Sequence, residues 1–266
     1  DRNMATVNDI FAYFEETVPT RMKMDFDNPG FLAGNGSHEV TRILLSLDIT
    51  QEVICEAAQW GAQLIVSHHP MFFELKKVST QDLNGRKVVS LLENGLSAIC
   101  LHTNLDAVSG GVNDALMAAL GADTEGILEY MGDGPDGRPY GMGRYGTVPE
   151  RTLGEFLPLC KNALHANGLR YVDTGRPVHR IGVCGGSGGD LMHEAVKMGC
   201  DTMVTADVKH HVFLEAKELG INLIDAGHFS TENVVIPVLK ELLEERFPEI
   251  ETKISAIHAQ PEQFFI

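Results

Sequence analysis

Three segments, Ser67-His68-His69-Pro70, His102-Thr103-Asn104-Leu105-Asp106 and Asp207-Val208-Lys209-His210-His211, each follow an apolar, strand-like run, and Gly227-His228-Phe229-Ser230-Thr231-Glu232 follows a fourth. Imidazoles and carboxylates are the donors that borderline divalent ions accept. Donors from distant segments can meet where strands end at one face of an α/β sheet. The pattern points to metal chemistry before it points to any substrate.

Neighbouring residues on a strand face opposite ways, so His68 and His69 can serve one cluster only if the strand has ended. Pro70 supplies that break, because it disfavours helix at His69 and donates no ladder hydrogen bond. An isolated His-His pair is commonly structural or exposed; its place after Leu64-Ile65-Val66 favours ligation. His228 and Glu232, spaced i, i+4, share a face if a helix begins near Gly227, with Ser230 or Thr231 available as a cap. That spacing also arises on solvated helices. Asp106, four residues after His102 and ahead of Gly110-Gly111, is a carboxylate able to bridge two ions, one oxygen to each. Gly185, Gly186, Ser187 and Gly188 lie between a strand and a helix, either as a tight turn or as an anion cradle. Asp207 and His211 could support the ligands or touch substrate, or form an ordinary polar loop, and His102 or His210 could transfer protons.

The elements that carry these residues are arranged twice. At one offset of 138 residues, Arg42-Ile43 matches Arg180-Ile181, Glu56-Ala57 matches Glu194-Ala195, Gly61 matches Gly199 and Val66 matches Val204. Each half reads as strand, helix ending at glycine, then an apolar run near a His-His pair, His68-His69 or His210-His211. Third runs, Leu96 to Leu101 and Ile221 to Ile224, deliver His102 and His228. Strands joined by such helices imply right-handed βαβ crossovers and a largely parallel sheet in each half. The expected class is therefore α/β, with two similar lobes built from βαβ units. Residues 1–125 and about 228–266 would form the first lobe and about 126–227 the second, with no large inserted domain. Gly132 to Gly146 reads as a loop or lobe boundary, and Glu232 to Phe247 as a helix.

At 266 residues and 44% hydrophobic content the chain can bury a core without disulfides. The five cysteines show no C-x-x-C pair, and Cys55, Cys100 and Cys184 lie in or beside apolar segments as buried thiols of a reducing compartment do. A net charge of -16 without a basic cluster argues against direct nucleic-acid binding. No apolar run approaches membrane-spanning length, so a cytoplasmic protein is expected. Asp1 to Asn3, ahead of Met4, read as an expression remnant.

Taken together, the four histidine-bearing segments, Gly185-Gly186-Ser187-Gly188, Asp25-Phe26-Asp27-Asn28-Pro29-Gly30 and the closing Pro261 with Phe264-Phe265-Ile266 resemble the Nif-three-like family, often labelled GTP cyclohydrolase I type II homologues. Ala206 stands where that family commonly has glycine. The resemblance runs the whole chain and implies two α/β lobes, a dinuclear divalent-metal centre in the cleft between them, and a ring-shaped homohexamer. It implies that His68 and His69 serve the metal pair, that Asp106 bridges, and that His228 and Glu232 complete the ligands. It also implies the short form of the family, without an inserted middle domain. Two ions per chain, zinc, iron, manganese, nickel or cobalt, would suit a hydrolase acting on a nucleotide or other phosphorylated small molecule, with GTP the version that the family label implies. The competing class is a non-catalytic metal-binding scaffold or regulatory protein.

Overall fold

A computed structural model describes residues 4–266; the stretch read as an expression remnant lies outside the described residues. In chain order the first elements are α1 (Val7–Thr17), β1 (Gly30–Ala33), β2 (Arg42–Ser46), α2 (Gln51–Trp60), β3 (Leu64–Ser67), α3 (Leu83–Glu93), β4 (Ser97–Cys100), α4 (Thr103–Ala107) and α5 (Val112–Ala119). There follow β5 (Asp123–Gly126), β6 (Glu129–Asp133), β7 (Pro139–Met142), β8 (Arg144–Arg151), α6 (Leu153–Ala163), β9 (Arg170–Val172), β10 (Val178–Ser187) and α7 (Met192–Lys197). The last are β11 (Thr202–Ala206), α8 (His210–Leu219), β12 (Asn222–Asp225), α9 (His228–Glu232), α10 (Ile236–Arg246) and β13 (Glu251–Ile254).

The described residues form two α/β units, residues 4–105 with 236–259, and residues 106–235 with 260–266. The sequence expectation places residues 106–125, 228–235 and 260–266 with the first unit, whereas all three stretches belong to the second. Residues 106–125 do so because Leu116 and Met117 of α5 join its core, beside Ile181, Val183 and Val204.

In the first unit the sheet order is β1-β4-β3-β2-β13, parallel throughout except for β1 at the edge. Strand β3 is buried at all four positions, as a central parallel strand covered on both faces must be. The second sheet, β5-β8-β10-β11-β12-β9, is parallel only across β10, β11 and β12. This corrects the expectation of a largely parallel sheet there. Gly132 to Gly146, expected as a boundary loop, instead forms the antiparallel β6-β7 hairpin and leads into β8, which pairs antiparallel with β10.

The repeat has a physical counterpart in one detail. Helix α2 starts at the Thr50 cap, whose side chain accepts from Val53 N–H, and ends at Gly61 in the left-handed region. Gly199 follows α7 in the same conformation. Arg42 donates to the Trp60 carbonyl and Arg180 to the Met198 carbonyl, both at 2.6 Å, so each matched arginine ties a strand to the last carbonyls of the next helix.

Three local expectations change. The helix read as Glu232 to Phe247 is α9, a short 3-10 turn at Asn233–Val235, and α10. His210-His211 does not end a strand as His68-His69 does; it opens α8 after β11 has stopped at Ala206. Cys55 is exposed, because α2 turns Val53, Ile54 and Ala57 to the core.

Candidate metal centre

In the first unit the parallel neighbours β3 and β4 end side by side, which brings His68 and His69 to His102. Their ring centroids lie 5.0, 5.3 and 5.6 Å apart, and one ligating atom from each falls within 4.8 Å of the others. Each ring is held by an acceptor on Nδ1. His68 donates to the Leu101 carbonyl at 2.7 Å, His69 to Asp48 Oδ1 at 2.5 Å and His102 to Asp27 Oδ1 at 2.7 Å. A neutral imidazole with Nδ1–H engaged presents Nε2 as its ligating atom, the arrangement that orients metal-binding histidines.

The acceptors are themselves braced. Burial pushes the Asp27 carboxyl up, but hydrogen bonds from His102 and Thr103 prevail and hold it at about 2. Burial likewise opposes ionisation of Asp48, while His258 and His69 hold its carboxyl well below the usual range. Neither aspartate nor His258 was singled out for this role in the sequence. The available signal was Asp48 itself, a carboxylate directly after the apolar run Ile43 to Leu47.

The second unit carries a separate set. His228 and Glu232 lie on one face of α9 with Nε2 3.0 Å from Oε2, and His228 Nδ1 donates to Asp207 Oδ2 at 2.6 Å. Burial lowers the His228 pKa, but Glu232 and Asp207 outweigh it and raise it to about 9. Asp207 reaches this position with φ +52, a backbone conformation that costs a non-glycine residue energy and that here aims its carboxylate at His228. Neither Ser230 nor Thr231 caps α9. Thr231 Oγ1 instead donates back to the Gly227 carbonyl and accepts from Gly186 N–H.

Asp106, on α4, and Glu232 are 5% and 3% exposed. Carboxylates this deep are costly unless positive charge matches them. Asn113 links the region: it donates to the Asp106 carbonyl and accepts from Gly185 N–H. In the run expected as a tight turn or an anion cradle, the Gly185 and Gly186 N–H groups donate to Asn113 and Thr231. Both glycines also allow a close approach. A Cβ on Gly186 would collide with Glu232 Oε1, and one on Gly185 would meet Val112 at 2.9 Å. Ser187 ends β10 exposed, and Gly188 packs on Cys184 and Thr205. His210 and His211 sit exposed on the first turn of α8, and among the described residues neither joins a group able to hold a metal.

The fold and these histidines define a class of two-unit α/β proteins with candidate metal ligands at strand ends. The model of the Duf34/NIF3 (NGG1p interacting factor 3) family matches residues 5–262, and the chain belongs to that family. A "GTP cyclohydrolase 1 type 2 homolog" of Clostridium perfringens is 37% identical over 262 residues, covering 97% of this chain and 99% of that one. The Clostridium acetobutylicum protein of the same name is 34% identical over 241 residues, covering 90% and 89%. The crystal structure of a Staphylococcus aureus hypothetical protein superimposes with a TM-score of 0.90 at 28% identity, covering 99% of this chain and 100% of that one. Among the described residues no helix is long and apolar enough to cross a membrane.

Proposed function

We propose that this protein binds two divalent ions, through His68, His69, Asp106, His228 and Glu232, and acts as a metal-dependent hydrolase on a nucleotide or other phosphorylated small molecule. The observation that carries the reading is the trio His68, His69 and His102, gathered within 4.8 Å with every Nδ1 held. Imidazole and buried carboxylate suit zinc, iron, manganese, nickel or cobalt, and no thiol stands among these residues.

Bound ions would supply Lewis-acid polarisation of the electrophile and activation of water. His68 and His69 bind and orient, fixed by the Leu101 carbonyl and Asp48. Asp106 would be the shared carboxylate, and His228 with Glu232 would complete the set. His102 moves a proton at Nε2, favoured over His210 because it lies within the imidazole cluster. A planar substrate is supported by Phe73, edge-on to His102 at 5.9 Å, and Phe26, 6.4 Å from Phe73. Both are more than half exposed and offer faces on which a base could stack. The relatives' name makes GTP the first nucleotide to screen, and the family resemblance makes a homohexameric ring the assembly to look for.

Elemental analysis of purified protein beside His68→Ala and Asp106→Ala tests the reading. About two ions per chain in the wild type, lost in the variants, is the expected result. No divalent ion after reconstitution would refute it. Loss of the assembly together with the metal in Asp106→Ala would move the non-catalytic scaffold to first place.

A further inference from the structure

Strands β3, β2 and β13 lie side by side and parallel in the first unit, with Leu45 paired to Val66 on one side and to Ile254 on the other. The residues just past their carboxyl ends form a row of His69, Asp48 and His258. Each oxygen of the Asp48 carboxylate takes one imidazole: His69 Nδ1 donates to Oδ1 at 2.5 Å and His258 Nε2 to Oδ2 at 2.8 Å.

His258 is itself anchored. Its N–H donates to Ser255 Oγ at 3.1 Å, and Ser255 N–H donates to the Leu45 carbonyl at 2.8 Å. Glu56 accepts from Ser255 Oγ at 2.5 Å and from Ala256 N–H at 2.8 Å. The His258 side chain is 12% exposed against 36% for Asp48, so the anchored ring is the better shielded partner.

The contrast with Asp27 shows why this anchor matters. Asp27, which holds His102, is braced by Thr103, the residue directly after that histidine, through its N–H at 2.9 Å and its Oγ1 at 2.5 Å. Asp48 takes its brace from a residue 210 positions away. An aspartate rotates broadly about its carboxylate torsion, so a bond to His69 alone would leave the imidazole plane loosely set. A second charge-assisted bond on the other oxygen locks that plane.

We propose that His258 is a positioning residue for the candidate metal centre. From the C-terminal segment it fixes Asp48, and through Asp48 it fixes the tautomer and ring plane of His69, so that Nε2 is presented to a divalent ion. This rests on the metal reading above.

The test compares wild type with His258→Ala, His258→Gln and His69→Ala in the full chain. Imidazole 15N NMR without added metal reads the His69 tautomer, and chelator competition with the visible spectrum reads Co2+ binding. In His258→Ala, His69 should lose its single Nδ1–H form, and Co2+ affinity should fall about tenfold, the low end for losing an outer support of a ligand. The Co2+ band should shift as well. His258→Gln, which keeps an N–H donor at similar reach, should restore most of each. If His258→Ala fails to fold, His258→Phe keeps the bulk without the donor and carries the same comparison. An unchanged His69 tautomer with unchanged Co2+ affinity and spectrum overturns the positioning role while leaving the metal reading standing. Wild type that takes up no Co2+, like His69→Ala, overturns both.

Discussion

Replacing Gly186 by alanine tests whether glycine at this point of β10 exists to let α9 seat His228 and Glu232. Gly186 has φ +69, and a Cβ there would collide with Glu232 Oε1 and come within 3.1 Å of His228 Nε2. The left-handed backbone alone costs an alanine about 1–2 kcal/mol. Forcing extra volume into a packed site adds about 1–3 kcal/mol. Glu232 is 3% exposed and its other oxygen, Oε2, lies 3.0 Å from His228, so a shift of the carboxylate strains that pair. Gly220→Ala is the control, since Gly220 has φ +74 with nothing within 4 Å of its Cβ position. Urea midpoints should place Gly186→Ala below Gly220→Ala by about 1–3 kcal/mol, the packing share alone. Calorimetry with Zn2+ should show affinity weakened in Gly186→Ala and unchanged in the control. Equal midpoints and equal Zn2+ affinities in the two variants would refute the reasoning.

Asp27 gives a pH dependence with a definite sign. Its folded carboxyl is held at about 2 against about 3.9 unfolded, so the stabilisation is present above about pH 4 and lost as pH falls through about 2. About 2 kcal/mol is at stake, and Asp27→Asn should lack that part of the acid dependence in unfolding measured from about pH 5 down to 2. Arg144, whose side chain is 3% exposed, donates to Asp114 at 3.0 Å and to the carbonyls of Gly141, Gly143, Ala107 and Val108. Arg144→Met should cost about 3–5 kcal/mol in denaturant unfolding, and a change under 1 kcal/mol, about the worth of a surface pair, would contradict this account. Of five cysteines only Cys55 is exposed, while burial raises the Cys100 and Cys200 thiols to about 11 and the Cys160 thiol to about 12. One thiol should react quickly with a disulfide reagent in the native protein and five after denaturation; a second fast thiol would refute the burial assignment.

The segments that gather were legible because each follows an apolar run, and parallel neighbours must end at the same edge. That logic finds His68, His69 and His102 without knowledge of strand order. It misleads where two residues of one type sit near a strand end for different reasons. His210-His211 resembles His68-His69 in sequence, yet the chain has already left β11 at Ala206 and the pair opens a helix. The Gly185 to Gly188 run left a tight turn and an anion cradle open, because close approach of a backbone to a ligand and close approach to a side chain select the same residue. Glu232 is what approaches. Asp48 and His258 were illegible for a topological reason: their meeting requires β13 to add beside β2, and nothing local in either segment encodes that neighbour.

Residues 106–235, nearly the whole second unit, fall in chain order between the two segments of a first unit whose sheet takes its last strand, β13, from residues 251–254. During synthesis the second unit can therefore gather its core while the first still lacks an edge, since domains tend to fold as their residues emerge. The Asp48 brace from His258 arrives later than β13 itself. Any chain interrupted between the two units would carry His68, His69 and His102 on a sheet missing that strand, with one imidazole unsecured.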